Sequence, residues 1–571
     1  MSVSYKSFLT NDPLDNYEDP EKFQKWVPII EKYRKDLEDS LVPEYKIELP
    51  KPIEQLVEEQ FNPLQYLYDE KLLTPEELEI TESSATDLVK KISEGLSSVV
   101  VFKAFAKRLV ICHQFTNGAM QIFIDEGIKR AEFLDDYLKK NGKTIGPLHG
   151  LPISLKEQMF YKNKITHGSY VSKMDNVPKV HAVSTQILED LGAIFYVRTT
   201  QPQTLMHLDS QNNIIGLTRN PFNLSLSSGG SSSGEGAIVS FGASSIGVGS
   251  DIGGSIRAPA AYSGCHGLRP TTRRISITGG VSSGAGQESV LAVQGPMARS
   301  IDDLELWMKT YINVGKPWES EGQSIPMPWR DVEKPKAKDL TIAVMYDDGV
   351  CRTTPPIKRG MKFTLDKLKA AGVKIVEFNP KNVDDAVDIV NKMYACDGNY
   401  MQRKLLADSG EPLAKLTKWA MNVGEGSRHY SVKENRELNL FRDALRTEYT
   451  KFMVDNKIDY ILSPTYSNVA PQSEKVYNWS YTSLWNILDF PTLAFQTGLF
   501  QDPAVDKWEE ADLNYKYRSD VEQLENENYD PNNFVGAPIG LQLSGRRYFD
   551  EEVIAGGKTI VDILGVDLFK K

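Results

Sequence analysis

Residues 229–257 read GGSSSGEGAIVSFGASSIGVGSDIGGSIR, and this stretch decides how the rest of the chain is interpreted. Two serine-bearing glycine turns, Gly229-Gly230-Ser231 and Gly253-Gly254-Ser255, bracket an apolar, helix-compatible segment and a short strand-like run. Glycines allow backbone N–H groups to approach a ligand closely, and the serine hydroxyls stand where the backbone is free of side chains. This arrangement is typical of a site where a serine attacks a carbonyl group and backbone donors stabilise the oxyanion. A flexible Gly/Ser linker is the alternative, but the interleaved apolar residues and Asp251 disfavour it.

Composition and charge exclude some partners. The chain has 571 residues, of which 40% are hydrophobic and 25% charged, as is usual for a globular protein with a large core. Its formal net charge of −11 at pH 7 argues against nucleic acid or an anionic membrane as a main partner, because both repel an acidic surface. We therefore expect no nucleic acid partner.

The N-terminus and the cysteines predict a cytoplasmic location. The first residues, MSVSYKSFLTNDPLDNYEDPEKF, lack the apolar core of a signal peptide and are too acidic for a transit peptide. No run approaches about 18 apolar residues, so we expect no transmembrane segment. The four cysteines are widely spaced without a CxxC pair, which disfavours a disulfide framework or a zinc site.

Residue patterns along the chain predict an α/β protein. Residues 1–80 read as charged, amphipathic helices interrupted by prolines, and we interpret them as a helical N-terminal arm. Residues 181–197 predict a helix, a glycine stop and a buried strand, and residues 340–378 predict a βαβ unit. We therefore expect a large mixed β-sheet covered by helices on both faces. Residues 502–533 are charged and poor in aliphatic side chains, which predicts a surface excursion.

Five ordered motifs resemble the amidase signature family of serine amide hydrolases, in particular its acetamidase and fatty-acid-amide-hydrolase branch. They are residues 150–157 (GLPISLKE), 229–237 (GGSSSGEGA), 250–257 (SDIGGSIR), 267–271 (GLRPT) and 295–300 (GPMARS). The resemblance is strongest over residues 146–300 and extends over nearly all of the chain after residue 80. It therefore implies a catalytic domain over residues 81–571, with its signature core at 146–300.

The resemblance implies a catalytic triad of Ser255, Ser231 and Lys156. Ser255 would be the nucleophile that forms an acyl-enzyme. Ser231 would follow a cis peptide bond from Gly230, and its hydroxyl would relay a proton between Ser255 and Lys156. Lys156 would be neutral in the resting enzyme because burial lowers its pKa, and it would act as the base and later supply the proton of the leaving amine.

The same resemblance assigns supporting and substrate-binding positions. An oxyanion hole would be formed by the backbone N–H groups of Ile252, Gly253, Gly254 and Ser255. The turns would be fixed by hydrogen bonds from side chains that take no part in the chemistry, namely Ser232, Asp251 and Arg257. Leu205 falls where the family lines its acyl pocket, and an ordinary core leucine is the open alternative.

Other chemistries have less support in the sequence. The seven histidines show no metal-ligand spacing such as HExxH, and His266, close to Ser255, lacks the GxSxG context of an α/β-hydrolase. Residues 247–253 (GVGSDIG) are only superficially similar to a dinucleotide loop, because they do not link a clear strand to a long helix. We expect no metal and no cofactor.

The predicted function is hydrolysis of small to medium aliphatic amides to an acid and ammonia or an amine, with carbamates such as ethyl carbamate as further candidate substrates. Two alternatives stay open: a long-chain fatty acid amide hydrolase, and the glutaminase subunit of a tRNA amidotransferase, which would require companion subunits. The intact lysine and serines disfavour an inactive scaffold. The family resemblance also implies a homodimer.

Overall fold

A computed structural model describes residues 18–570. Residues 1–17, which hold the start of the predicted N-terminal arm, and Lys571 lie outside the described residues, as do the side chains of Ala511 and Leu513. The strands are β1 (Ala119–Ile122), β2 (Pro152–Lys156), β3 (Ile194–Thr199), β4 (Ile246–Asp251), β5 (His266–Arg269), β6 (Val293–Ala298), β7 (Thr341–Val344), β8 (Lys374–Glu377), β9 (Tyr460–Pro464), β10 (Thr492–Phe500) and β11 (Pro538–Ser544).

Helices make up much of the remaining structure. The α-helices are α1 (Pro20–Gln24), α2 (Val27–Asp39), α3 (Ile53–Glu58), α4 (Pro63–Asp69), α5 (Pro75–Thr81), α6 (Ala85–Ser93), α7 (Ser98–Thr116), α8 (Ile124–Asn141), α9 (Val183–Asp190), α10 (Ser233–Ser240), α11 (Arg257–Ser263), α12 (Ile301–Asn313), α13 (Pro355–Ala370), α14 (Val383–Tyr394), α15 (Tyr400–Ser409), α16 (Lys415–Ala420), α17 (Val432–Asp455), α18 (Ser480–Leu488), α19 (Glu510–Leu513), α20 (Asp520–Glu527) and α21 (Asp550–Leu564). Short 3₁₀ helices span Pro43–Tyr45, Val171–Lys173, Gln203–Leu205, Pro317–Glu319, Ala337–Asp339 and Pro531–Asn533.

The strands of the described residues form one mixed sheet of 11 strands, in the order β1-β3-β2-β4-β6-β5-β10-β11-β9-β7-β8. The neighbours β3, β2 and β4 run parallel, as do β9, β7 and β8, whereas the central pairs from β4 to β9 are antiparallel. Every residue of β2, β3 and β11 is buried, which requires cover on both faces of the sheet. The predicted mixed α/β architecture is confirmed.

Two local predictions from sequence are confirmed. Helix α9 is followed by Gly192, whose φ of 102° only glycine adopts easily, and then by the buried strand β3. Residues 340–378 form the predicted βαβ unit, because β7 and β8 pair in parallel and α13 connects them. Residue patterning and the glycine stops were sufficient to predict both units.

The predicted N-terminal arm is helical over its described part. Thr74 caps α5 through a capping box with Glu77, as the Thr-Pro-Glu-Glu sequence favours. Leu56, Leu64 and Leu67 are buried in the same hydrophobic cluster as the sheet, so these helices pack directly on the body of the protein. The boundary at residue 80 stays a prediction.

Residues 502–533 lie mostly at the surface, as predicted, but the second half also contributes buried polar side chains. Glu522, Glu525 and Asn526 of α20 are buried. Glu525 accepts hydrogen bonds from the Tyr466 hydroxyl and, at 2.5 Å, from the Tyr477 backbone N–H. Burial raises the pKa of Glu525 to about 7, although these donors oppose the shift. The charged composition alone did not reveal that some of these carboxylates are buried and accept hydrogen bonds.

In the described part of the chain, no helix is long and apolar enough to cross a membrane.

Candidate active site

Two parallel strands bring the predicted site residues to one edge of the sheet. Strands β2 and β4 are neighbours, with Leu155 opposite Val248, so their carboxyl ends lie side by side. Lys156 is the last residue of β2, and β4 ends at Asp251, just before the turn that carries Ser255. The other glycine turn, at 229–231, precedes α10, which packs on both β2 and β4. The sequence therefore places a buried lysine opposite two serine turns.

Lys156 is fully buried and bonded to two hydroxyls. Its Nζ lies 2.8 Å from Ser231 Oγ and 2.9 Å from Ser250 Oγ. Burial lowers the pKa of Lys156 to about 7, and the neighbouring carboxyl groups, Asp251 first and then Glu235, only partly oppose this shift. A large fraction of this amine is therefore neutral near pH 7. The Gly230–Ser231 peptide bond is cis, as the family resemblance implied.

Glu235, on α10, is a second titratable group close to Lys156. Its carboxyl accepts hydrogen bonds from the hydroxyls of Ser154 and Thr199, which belong to β2 and β3. Burial raises the pKa of Glu235 to about 8, and these hydroxyls and the charge of Lys156 oppose that shift. This carboxyl is therefore mostly uncharged at neutral pH, and it provides little anionic stabilisation of a lysine ammonium.

Ser231 and Ser255 face the same cavity. Their exposed fractions are only 2% and 5%, and both line a cavity of about 330 Å³. The two turns are tied together by a 3.1 Å hydrogen bond from the Ser232 backbone N–H to the Ser255 carbonyl oxygen. Among the described residues, no hydrogen bond joins the Ser231 and Ser255 hydroxyls directly. Hydrogen bonds of this kind often shorten only when substrate is bound.

Side chains from distant segments fix the peptide groups of the 252–255 turn. The Tyr394 hydroxyl donates to the Ile252 carbonyl oxygen at 2.5 Å, and the Thr482 hydroxyl donates to that of Gly253 at 2.6 Å. In a trans peptide group the N–H points opposite to the C=O. Because Tyr394 holds the carbonyl oxygen of the Ile252–Gly253 peptide group, the N–H of Gly253 points away from Tyr394.

The four predicted oxyanion donors differ in their bonding. The Gly254 N–H donates to Asp251 Oδ1 at 2.9 Å, so it is already occupied within the protein. The N–H groups of Ile252, Gly253 and Ser255 have no hydrogen-bond partner in the part of the chain that the structure describes. These three groups are the available donors for an oxyanion.

Asp251 and Arg257 form a buried clamp under this turn. Arg257 Nε lies 3.0 Å from Asp251 Oδ2 and its Nη2 lies 3.0 Å from Oδ1, and Asn486 Nδ2 donates to the same carboxylate at 2.9 Å. Burial alone would raise the pKa of Asp251, but the Arg257 guanidinium and Asn486 outweigh it and hold that pKa well below its usual range. The clamp supports the turn, because Asp251 also accepts from the N–H groups of Gly254 and Ile256.

Ser232 and Leu205 also lie where the sequence predicted contacts with the site. Ser232 Oγ accepts from the Ser250 N–H at 3.2 Å, which joins the start of α10 to the end of β4. Leu205 is buried in the wall of the cavity and has a positive φ of 67°. The side chain of Gln203 anchors this unusual turn by donating to Glu411 at 2.7 Å. Of the described residues, no group of three or more His, Cys, Asp or Glu side chains is placed to hold a metal ion.

With this geometry established, comparison with known proteins decides the family. The sequence matches the family model described as Amidase over residues 100–554, which include Lys156, Ser231 and Ser255. The chain belongs to the amidase family. Within that family it is related to the amidase signature enzymes, and it is a hydrolase that acts on amide C–N bonds.

Relatives of this amidase are found among fungal enzymes and solved structures. An acetamidase of Emericella nidulans is 37% identical over 507 residues, covering 86% of this chain and 91% of that protein. An acetamidase of Aspergillus oryzae is 36% identical over 507 residues, covering 86% of this chain and 92% of that protein. A solved structure named fatty acid amide hydrolase is 70% identical, with a TM-score of 0.98, and covers 99% of this chain and 100% of that one.

Sequence reasoning missed several residues of the amidase site. Ser250 lies inside the 250–257 motif, and strand alternation places its side chain on the face opposite to that of Asp251, so its position could have been predicted from the sequence. Tyr394, Thr482 and Asn486 come from α14 and α18, far away in sequence. No local pattern in those helices indicates that they anchor the 251–255 turn.

Proposed function

We propose that this amidase hydrolyses amides of aliphatic acids through a Ser255-Ser231-Lys156 triad and an acyl-enzyme. The observation that carries the proposal is the fully buried Lys156, whose Nζ lies 2.8 Å from Ser231 Oγ beside the cavity that Ser255 also lines. A buried amine with a pKa of about 7 is a suitable base near neutral pH. In this proposal, Lys156 exchanges protons with Ser255 only through the Ser231 hydroxyl.

Acylation follows from this arrangement. Ser255 Oγ attacks the carbonyl carbon and passes its proton to Ser231 Oγ, while the Ser231 proton moves to the neutral Lys156 Nζ. The carbonyl oxygen becomes an oxyanion that accepts hydrogen bonds from the available N–H groups of the 252–255 turn. Each such donor contributes on the order of 3 kcal/mol to barrier lowering.

Release of the amine reverses the proton path. As the C–N bond breaks, the leaving nitrogen takes a proton from Ser231 Oγ, which is reprotonated by the Lys156 ammonium. Water then attacks the Ser255 ester, with Lys156 again the base, and the acid leaves. Asp251, Arg257 and Ser232 hold the turns in this proposal and exchange no protons, because the pKa of Asp251 is far below neutral.

The acyl group that best fits the cavity is an aliphatic chain longer than acetyl. The cavity of about 330 Å³ is within the range of sites for drug-sized ligands, and its apolar lining includes Met159, Leu205, Ile252, Val281, Val290 and Leu291. The 70% identity to a structure named fatty acid amide hydrolase also favours a long chain over the short amides expected from the sequence. The acetamidase relatives, at 37% and 36% identity, support short amides as the second candidate.

Amine or ammonia release along a chain-length series tests the substrate. The series runs from acetamide through hexanamide and decanamide to oleamide, with glutamine and ethyl carbamate added and Ser255→Ala protein as the blank. We expect kcat/KM to rise with chain length and to be highest at decanamide or beyond. A maximum at acetamide would replace the proposal by an acetamidase, and activity on glutamine alone would favour the amidotransferase subunit.

Three further expectations from the sequence stay predictions. These are the cytoplasmic location, the homodimer, and a catalytic domain that begins near residue 81. Gel filtration with light scattering tests the second, and a variant that lacks residues 1–80 tests the third. Because Leu56, Leu64 and Leu67 are buried in the main hydrophobic cluster, we expect that truncation to expose apolar surface and lower the melting temperature.

A further inference from the structure

Two consecutive residues in the cavity wall have a backbone conformation that their side chains disfavour. Thr204 has a φ of 63° and Leu205 a φ of 67°, and both line the cavity that Ser231 and Ser255 also line. Positive φ values of this size are uncommon outside glycine, and they are least favourable for a β-branched side chain such as that of Thr204. Such a conformation persists only where the surrounding structure imposes it. The Thr204–Leu205 turn therefore requires an anchor.

The residue before this turn, Gln203, is bonded at both ends of its side-chain amide. Its fully buried Nε2 donates to Glu411 Oε2 at 2.7 Å and to the Pro412 carbonyl oxygen at 3.1 Å. Its Oε1 accepts from the Ala414 N–H at 2.9 Å. All three partners belong to the loop of residues 410–414, which joins α15 to α16. Because donor and acceptor are both used on one loop, that loop fixes where the turn begins.

Glu411 is a buried carboxyl group that donors from several segments hold in place. Besides the Gln203 amide, it accepts hydrogen bonds from the Val171 N–H at 2.9 Å, the Asn213 amide at 2.7 Å and the Ser409 hydroxyl at 3.2 Å. A shift of this carboxyl group would leave buried donors unpaired, which costs free energy. Glu411 is therefore a fixed point for the side chain of Gln203.

The N-terminal arm holds the same loop from its other side. The Asp19 N–H donates to the Gly410 carbonyl oxygen at 2.9 Å, and the Glu18 carboxylate accepts from the Leu413 N–H at 2.9 Å. The approach at Gly410 is so close that a Cβ there would lie 2.6 Å from the Asp19 carbonyl oxygen. The loop is thus held between the arm and Gln203, and it cannot move without breaking contacts on both sides.

We propose that the Gln203–Glu411 pair is a positioning device that keeps the Thr204–Leu205 turn in its positive-φ conformation and thereby sets the acyl-side wall of the cavity. Both side chains of the pair lie behind that wall, so they act through Leu205. A primary amide carries only ammonia as its amine half, so its acyl chain is the part that contacts an apolar wall. The inference rests on the proposed function for the identity of this chain. Loss of the pair weakens the binding of long acyl chains more than that of short ones.

A matched pair of variants tests this proposal. Gln203→Met keeps the length of the side chain and removes the amide that joins the turn to Glu411. The control is Asn213→Leu, because Asn213 Nδ2 donates to the same two acceptors, Glu411 Oε2 at 2.7 Å and the Pro412 carbonyl oxygen at 2.8 Å, but lies outside the turn.

The readout is kcat/KM for decanamide relative to the shortest amide of the series that the enzyme hydrolyses. We expect Gln203→Met to lower this ratio by about 10-fold, mainly through a higher KM for decanamide, and Asn213→Leu to change it by less than about 2-fold. The midpoint of the pH profile near 7 should be the same in both variants as in wild type, because Lys156 keeps its surroundings.

Two outcomes overturn the proposal. One is an unchanged ratio in a folded Gln203→Met protein, and the other is an equal fall in Asn213→Leu, which would show a structural role of the loop alone. If Gln203→Met does not fold, Gln203→Asn, whose amide is too short to reach Glu411, replaces it. Calorimetric binding of decanamide to Ser255→Ala protein, with and without Gln203→Met, measures the effect without turnover. A Kd that rises with Gln203→Met, for an enzyme that hydrolyses no amide of the series, would support this inference while overturning the proposed function.

Discussion

Two Gly/Ser-rich segments border the same cavity and are built in opposite ways. The core segment, residues 229–257, is buried along almost its whole length. The wall segment, residues 277–288 (ITGGVSSGAGQE), is mostly exposed, with Val281 as its buried contact to the protein. Composition alone would describe both as flexible linkers.

The two segments differ in the residues that stand between their glycines and serines. In the core segment, Ile238, Val239, Ile246 and Val248 are fully buried, and the Asp251–Arg257 pair closes its end. The wall segment has no buried ion pair within the described residues, and apart from Val281 its side chains are exposed or partly exposed. We therefore expect substitutions in the core segment to be costly and those in the wall segment to be mild.

Loss of the nucleophile should be the largest effect. We expect Ser255→Ala to reduce kcat for decanamide by about 10⁵-fold or more, because the acyl-enzyme cannot form. The melting temperature should stay within a few degrees of wild type, since only a hydroxyl is removed. Activity close to wild type would contradict the triad. The control is Ser232→Ala, which removes a hydroxyl with a structural role from the same segment and shows how much of any loss comes from the fold.

Loss of the base should have the next largest effect and should depend on pH. We expect wild-type kcat/KM to rise with pH through about 7 as Lys156 loses its proton, and Lys156→Met to lose about 10³-fold at pH 7 and less at high pH. A small loss that does not change with pH would remove Lys156 from the role of base.

The same variant has an opposite effect on stability. Burial lowers the pKa of Lys156 in the folded state, so its charged form destabilises the folded protein fully below pH 7. This destabilisation disappears as the pH rises toward the unfolded pKa near 10.5. The stability advantage of Lys156→Met over wild type should therefore be larger at pH 6 than at pH 10, by on the order of 4 kcal/mol. Equal unfolding midpoints of the two proteins at both pH values would contradict burial of a titrating lysine.

Breaking the clamp of the core segment tests its rigidity. In Arg257→Gln, the Asp251 carboxylate loses its cation in a fully buried site, and we expect about 3–5 kcal/mol of destabilisation in urea unfolding. The matched control is Lys362→Gln, because Lys362 pairs with Asp366 on an exposed helix face and should change stability by less than about 0.5 kcal/mol. Equal effects of the two substitutions would break the proposed contrast.

Two glycine substitutions compare the segments directly. A Cβ at Gly234 of the core segment would collide with the backbone of Gly118 and Thr200, whereas one at Gly284 of the wall segment would find its nearest neighbour 4.0 Å away. We expect Gly234→Ala to cost about 1–3 kcal/mol and Gly284→Ala less than about 0.5 kcal/mol. Thermal melts of the two proteins check this, and a milder effect at Gly234 than at Gly284 would contradict the account.

The sequence was most informative where structure is determined locally. The serine turns, the strand that ends at Lys156, and the units built on helix, glycine and strand are each encoded within about 30 residues, so periodicity and glycine placement identify them. The anchors of the 251–255 turn could not be found, because Tyr394, Thr482 and Asn486 reach it only through the folding of α14 and α18.

The most direct test of the account is to locate the acyl group on the protein. An aryl N-dodecylcarbamate would transfer its carbamoyl group to the nucleophile and lose the phenol. Because the carbamoyl adduct hydrolyses slowly, intact-mass and peptide-mass measurements can map it. We predict one carbamoyl group per chain, on Ser255, formed slowly in Lys156→Met and absent in Ser255→Ala. An adduct on Ser231 or on a residue outside the cavity, or one that forms equally in Ser255→Ala protein, would contradict the proposed mechanism.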